Sequence, residues 1–175
     1  AVGFGLGVGV MVTLLGVGDV ILRQARAPEL SGGGDVAVGS ASGRLSNAPF
    51  VLYTLRPGDT SVNFHQAADG KGATFTLIEV TNTAGQTFLV GGYNPQSWSS
   101  TDGWHETERD FQRTAFLFNF TNPAVYRQVL SDFELPSQGQ RQTYNDILFG
   151  PVFGTGPDLL VNNDLTQALS WQLSY

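Results

Sequence analysis

The chain has 175 residues, 41% hydrophobic and 14% charged, which is enough for one domain with its own core or one domain plus an extension. Its net charge is −6 with only nine basic residues, which argues against nucleic-acid binding because phosphates are recognised by a basic face. The absence of cysteine excludes disulfides, thiolate metal sites and cysteine nucleophiles.

The first 18 residues, "AVGFGLGVGVMVTLLGVG", contain no charged side chain. This length approaches the roughly 20 apolar residues of a bilayer-spanning helix. We therefore predict a hydrophobic, glycine-rich membrane helix over residues 1–22. The alternatives are a buried glycine-rich strand and a disordered leader, because glycine at positions 3, 5, 7 and 9 weakens a helix in water. Residues 23–57 are small, polar and glycine-rich, which predicts a linker.

The sequence of residues 58–175 predicts a third region, which is mainly β. "TSVNFHQAADG" offers Thr60 or Ser61 as a helix N-cap and Gly70 as a stop. "ATFTLIEVT" and "TFLVGGY" flank the turn sequence "NTAGQ" and predict a hairpin. Further strands are predicted in "TAFLFNFT", "YNDILFG", "DLLVN" and "ALSWQLSY". The predicted fold class is mainly β (α+β), with an antiparallel two-sheet β-sandwich and one or two short helices.

The stretch "FGPVFGTGPDLLV" (residues 149–161) has the glycine content of a phosphate-binding loop. Such a loop needs converging backbone N–H groups, usually with a lysine and a following helix. Here no lysine is present, Pro151 and Pro157 each remove a donor, and a strand follows. We therefore predict a structural corner, with Gly154 or Gly156 at positive φ and Phe153 buried beneath it.

The same stretch resembles the C-terminal signature of the TLD (TBC/LysM-associated) domain family. The similarity extends upstream through "NFHQAADGKGATFTLIEV", "VGGYNPQSW", "TAFLFNF" and "QTYND", and it covers about residues 58–175. The matching positions taken as the structural motif are Gly91, Gly92, Trp98, Phe116, Phe118, Gly150, Pro151, Phe153, Gly154, Gly156 and Asp158.

This resemblance implies a β-sandwich bordered by helices that acts as a non-catalytic protein-interaction module. Eukaryotic members of the family are linked to oxidative-stress protection and to binding the vacuolar proton pump. Bacterial members are typically secreted or surface-anchored and have no assigned activity. We therefore expect an unidentified protein partner, a place at the cell envelope (membrane-associated or secreted), no enzyme activity and no cofactor.

Residues 1–55 are similar to the first membrane helix and early extracytoplasmic segment of ABC-transporter permeases of the lipoprotein-exporter type. Joined to a TLD-like domain, this similarity implies a fusion or a chimera. A fragment of such a permease is accordingly an alternative interpretation of the chain.

The polar segment "NPQSWSSTDGWHETERDFQR" (residues 94–113) is the predicted binding loop. Its candidate residues are Trp98, Trp104, His105, Glu106, Glu108 and Asp110. Exposed tryptophans would stack on a glycan or dock a protein, whereas buried ones would cover one end of the sandwich. The alternative function is a secreted glycan-binding or glycan-active protein, which as a glycosidase needs two carboxyl groups about 5–10 Å apart. No metal site is predicted, because neither histidine has metal-ligand spacing.

Overall fold

The structure is a computed structural model that describes residues 6–15, 50–130 and 139–175, with backbone alone at 6–15 and 50. Most of the predicted linker, residues 23–49, lies outside the described residues, as do residues 1–5 and 16–22 of the predicted membrane helix.

The described chain is mainly β. Its elements are β1 (Leu6–Leu15), β2 (Phe50–Thr54), α1 (Ser61–Ala68), β3 (Thr74–Thr81), β4 (Thr87–Asn94), β5 (Gly103–Glu106), a 3-10 turn (Asp110–Gln112), β6 (Phe116–Asn119), β7 (Ala124–Arg127), β8 (Arg141–Asn145), β9 (Val152–Phe153), β10 (Leu159–Val161) and β11 (Gln167–Leu169).

The strands form two antiparallel sheets that give a β-sandwich-like fold. One sheet has four strands in the order β3-β4-β6-β7, and the other has five in the order β5-β8-β9-β10-β11. The prediction of a mainly β fold with two antiparallel sheets and one or two short helices is therefore confirmed in these general features. The hairpin β3–β4 is also confirmed, since its strands pair without a break from Thr74↔Asn94 to Thr81↔Thr87.

Helix α1 begins and ends where the sequence predicts. Thr60 is the N-cap, and its N–H donates to Asn63 Oδ1 over 2.9 Å. Gly70, just beyond the C-cap, has φ +69°, a conformation that glycine adopts without strain. Phe64 and Ala68 are fully buried, so the helix closes one side of the core.

Strand β1 joins the two sheets. One edge of β1 pairs with β3 from Gly7 to Leu15, while its other edge pairs with β11 at Leu6 and Gly7 and with β2 farther along. The predicted N-terminal helix is therefore wrong for Leu6–Leu15, and the glycine-rich strand, which was the alternative, is present. Glycine at every second position costs a helix stability, whereas neighbouring strands satisfy an extended backbone on both edges. Within the described ranges, no helix has the length and apolar character needed to cross a membrane.

A row of five aromatic rings runs through the main core. Neighbouring centroids lie 6.1 Å apart for Tyr53–Phe64, 5.6 Å for Phe64–Trp98, 5.4 Å for Trp98–Phe153 and 6.3 Å for Phe153–Tyr175. All four pairs meet edge to face, the arrangement that aromatic quadrupoles favour. We call this set the central aromatic row. It connects β2, helix α1, the loop after β4, strand β9 and the C-terminal segment in a single packed unit.

Gly91 and Gly92 let aromatic rings approach the two faces of β4. A Cβ on Gly92 would lie 2.6 Å from Cζ of Phe153 in the main core. A Cβ on Gly91 would collide with the Thr76 carbonyl oxygen of β3 and would lie 2.7 Å from Cζ of Phe118, which belongs to a second cluster with Phe75 and Phe116. Both motif glycines therefore have a packing role.

We expect Phe153→Ala to lower the free energy of unfolding by about 3–5 kcal/mol, because the ring is completely buried and its removal leaves a cavity. Phe111→Ala is the matched control, since Phe111 is 74% exposed, and it should change the free energy by less than about 0.5 kcal/mol. Chemical denaturation of the three proteins gives both numbers. Equal stability of Phe153→Ala and the parent would contradict the packing described here.

Candidate functional site

The corner at residues 150–158 contains an acidic side chain, Asp158, that is hydrogen-bonded within the protein. Asp158 is buried, and its carboxylate oxygens accept backbone N–H groups from Leu173 at 2.6 Å, Ser174 at 3.0 Å and Tyr175 at 3.2 Å. Burial raises the pKa of Asp158, and the three backbone donors act in the opposite direction by stabilising the charged form. The corner therefore fastens the C-terminal segment.

Two glycines give this corner its shape, as predicted. Gly154 has φ +72° and Gly156 has φ +109°, both in the region that favours glycine. A Cβ on Gly154 would collide with Oδ2 of Asp158, whereas one on Gly156 would meet only the end of the Leu173 side chain. Phe153 is fully buried beneath the turn, which confirms the predicted structural corner.

Gly150 and Pro151 belong to the same packed corner. The N–H of Gly150 donates to the Val161 carbonyl over 2.9 Å, and the N–H of Val161 donates to the Pro151 carbonyl over 3.0 Å. A Cβ on Gly150 would lie 2.7 Å from Cδ2 of Leu165, a fully buried side chain. These motif residues therefore serve backbone pairing and close packing.

His65 is held in a buried hydrogen-bonded position between helix α1 and the turn at residues 146–149. Its Nδ1 lies 2.7 Å from Asp69 Oδ1, and its Nε2 lies 3.1 Å from the carbonyl oxygens of both Asp146 and Phe149. Carbonyl oxygens only accept, so Nε2 is the donor to both of them, while Nδ1 faces the Asp69 carboxylate. His65 therefore fixes the turn against the helix.

Trp98 does not contribute to a binding surface. Its side chain is 1% exposed, and its indole Nε1–H donates to Thr74 Oγ1 over 2.9 Å. The indole therefore belongs to the central aromatic row, and its inclusion among the candidate binding residues is wrong. The glycine-to-aromatic spacing of "VGGYNPQSW" does not reveal on which side of the sheet the ring lies.

Strand β5 divides the rest of the predicted binding loop. Before β5, the N–H of Ser99 donates to Asn145 Oδ1 over 3.1 Å, near one end of β8. After β5, the N–H of Thr107 donates to the Gln140 carbonyl over 2.8 Å, near the other end. Residues 94–113 thus form a loop, strand β5 and a second loop. The two loops lie at opposite ends of the paired strands β5 and β8.

The two strands β5 and β8 bring aromatic and charged side chains together on one face. Trp104 and Tyr144 are cross-strand partners with ring centroids 4.8 Å apart. The Arg141 guanidinium carbon lies 5.0 Å from the centroid of Trp104, and Arg141 Nε lies 3.3 Å from Glu106 Oε1. Stacked guanidinium and indole groups attract each other through the ring quadrupole.

The turn at residues 146–149 directly follows β8 and adds apolar side chains next to these strands. The Phe149 ring lies 6.3 Å from Tyr144, edge to face. Ile147 and Leu148 are 36% and 58% exposed. We call the whole set the Trp104 face, which consists of Trp104, Glu106, Arg141, Tyr144, Ile147, Leu148 and Phe149. Of the predicted binding residues it contains Trp104 and Glu106.

The remaining candidates lie apart from the Trp104 face. His105 is the next residue along β5, and its Nε2 is 4.0 Å from Asp102 Oδ2. Burial lowers the pKa of His105, and the nearby Asp102 carboxylate opposes this shift. Asp110 forms an ion pair with Arg113 at 3.0 Å, and Glu108 is exposed.

The described ranges contain no group of three or more histidine, aspartate or glutamate side chains placed to hold a metal ion. Arg141, Tyr144 and the turn after β8 were not predicted as binding residues from the sequence. Their contribution depends on the pairing of β5 with β8, which the sequence does not specify.

No protein-family model matches this chain, and no match is found among curated proteins or solved structures. The TLD resemblance of residues 58–175 and the permease resemblance of residues 1–55 therefore stay predictions.

We expect Gly154→Ala to destabilise the domain by at least about 2 kcal/mol, because it adds positive-φ strain and displaces the Asp158 carboxylate from its donors. Gly58→Ala is the control, since Gly58 has φ +87° but open space around it, so only strain of about 1 kcal/mol remains. Thermal unfolding of both variants tests the difference. If Gly154→Ala unfolded at the same temperature as the parent protein, the corner would not be structural.

The lowered pKa of His105 predicts a pH dependence of stability. The folded state disfavours the imidazolium form of His105. The neutral side chain therefore adds its full contribution to the free energy of unfolding above the unfolded pKa, near 6.5, and this contribution is lost as the pH falls through the folded pKa. His105→Gln should therefore lose less stability than the parent between about pH 7 and pH 5. Denaturation midpoints at several pH values measure this, and parallel curves for the two proteins would refute it.

Proposed function

We propose that residues 58–175 form a non-catalytic, TLD-type interaction domain that binds a protein partner at the cell envelope through the Trp104 face. The ordered motifs of the resemblance support the domain type, and the chemistry of the Trp104 face supports the binding role. A stress-related role follows from the resemblance alone and belongs to the same proposal.

The contacts of Trp104 with Tyr144 and Arg141 are the observation that carries the proposal. Tryptophan, tyrosine and arginine are the residue types that contribute most often to the binding energy of protein interfaces. All three lie on paired strands, and Trp104 is 4.8 Å from Tyr144 and 5.0 Å from Arg141. Because the side chains already support one another, less conformational entropy is lost when a partner binds.

The turn at residues 146–149 adds apolar area on a rigid support. The N–H of Ile147 donates to the Ser100 carbonyl over 3.0 Å, and the Ile147 carbonyl accepts the Ser61 hydroxyl over 2.5 Å. The N–H of Leu148 donates to Asp146 Oδ1 over 2.9 Å. The exposed side chains of Ile147 and Leu148 are thus presented by a fixed backbone, which suits a surface loop that binds.

The glycan alternative has less support. It needs Trp98 and Trp104 exposed together, and Trp98 is 1% exposed. As a glycosidase it also needs two available carboxyl groups, but Glu106 pairs with Arg141 and Asp110 pairs with Arg113, which leaves Glu108 alone among its three candidate acids. We therefore favour a protein partner for this surface.

Affinity capture from an envelope extract tests the proposal, with the full chain and two variants as bait. Trp104→Ala removes the centre of the Trp104 face and should lower the recovery of a specific partner at least about tenfold, as a loss of 1.4 kcal/mol or more predicts. Phe111→Ala removes an exposed phenylalanine outside this face and should leave recovery unchanged.

Quantitative mass spectrometry of the three captures gives the comparison, and circular dichroism confirms that both variants are folded. The proposal fails if the proteins captured by the parent are recovered equally with Trp104→Ala. It also fails if Phe111→Ala removes the same proteins, because the loss would then not depend on the Trp104 face.

A further inference from the structure

A cavity of about 520 Å³ lies between the two sheets, away from the Trp104 face. One wall comes from β3, β4, β6 and β7, and the other comes from the start of β10 and the C-terminal segment. Cavities of about 300–1,000 Å³ are typical of sites for small organic ligands.

The walls of this cavity are mainly apolar and aromatic. Val80, Val90 and Leu159 line its inner part, and these side chains belong to the main core or pack against it. Phe88, Tyr126 and Trp171 add three rings from three different segments. Tyr126 is 45% exposed, so the cavity has an open side. Rings placed in this way suit a flat apolar group that enters between the sheets.

The cavity offers no free charge to a ligand. Among the described residues that line it, Asp158 is the only one with a carboxyl or basic side chain. Its carboxylate already accepts the N–H groups of Leu173, Ser174 and Tyr175. An ionic ligand would lose its hydration there without gaining a partner of opposite charge, which makes its binding costly.

The rim supplies uncharged hydrogen-bond donors. The Gln86 Oε1 accepts Asn82 Nδ2 over 3.0 Å, which leaves the Gln86 amide N–H groups for another acceptor. Gln172 and Asn119 also reach the cavity. The side chain of Gln172 makes no hydrogen bond within the described part of the chain, and Asn119 uses only its oxygen, for the N–H of Asn122. Such amides suit carbonyl or hydroxyl oxygens at one end of a ligand.

We propose that this cavity binds a neutral, mainly aromatic small molecule that carries oxygen acceptors at one end. The aromatic part lies among Phe88, Tyr126 and Trp171, and the oxygens meet the amides of the rim. A free sugar fits less well, because its hydroxyl groups would face the aliphatic inner wall without partners. The site shares no residue with the Trp104 face, so it stands or falls independently of the proposed protein partner.

Two dyes with the same ring system test the charge selectivity. The probe is N-phenyl-1-naphthylamine, a neutral compound, and its comparison is 1-anilinonaphthalene-8-sulfonate, which adds one negative charge. Fluorescence titration of the full chain at about 0.5 M salt screens the long-range effect of the protein's net charge. We expect saturable one-to-one binding of the neutral dye and at least about tenfold weaker binding of the sulfonate.

A matched pair of substitutions tests the location. Val90→Phe places a ring in the cavity and should weaken binding of the neutral dye at least about tenfold. Val62→Phe makes the same change at an exposed position of helix α1 and should leave binding unchanged. If Val90→Phe does not fold, as judged by circular dichroism, Phe88→Ala takes its place, because it removes one of the three rings.

The proposal is overturned if the neutral dye shows no saturable binding or if the sulfonate binds equally well. It is also overturned if folded Val90→Phe or Phe88→Ala binds the neutral dye as tightly as the parent does. Loss of dye binding in Val62→Phe would likewise refute it, because the dye would then not be reporting on the cavity.

Discussion

The edge-to-face contact between Trp98 and Phe153 is the constraint on which the rest of the structure depends. It joins the loop after β4 to the corner strand β9, and Gly92 has to be a glycine because the Phe153 ring occupies the space of its Cβ. Helix α1 packs against the other side of Trp98 through Phe64. The corner, the helix and the hairpin are therefore positioned relative to one another by one interdigitated set of rings, in which a lost ring leaves a void.

The buried carboxylate of Asp158 plays the complementary polar role. A buried charge is costly unless hydrogen bonds compensate for it, and three backbone N–H groups of the C-terminal segment provide that compensation. This segment also carries Trp171 and Gln172, which line the cavity between the sheets. The same interaction that closes the corner therefore sets one wall of the proposed ligand site.

Local patterns in the sequence predicted the parts whose causes are local. The N-cap at Thr60, the hairpin around "NTAGQ" and the glycines of the corner depend on residues within a few positions, and all three were confirmed. The burial of Trp98, the Trp104 face and the cavity depend on contacts between distant segments. Strand β1 shows the same limit, because an apolar run suits a membrane helix or a buried strand equally well until its partners are known.

The position of β1 between the two sheets has a consequence for how the chain folds. Residue 6 pairs with residue 168, and residues 7–15 pair with residues 74–81, so this strand depends on contacts of very long sequence separation. Closing such loops costs entropy before any contact repays it, which slows folding. During synthesis, β1 is made long before β11, so the edge of β1 that pairs with β11 stays open in the meantime. A strand edge left open in this way is prone to unwanted pairing and aggregation until its partner strand is made.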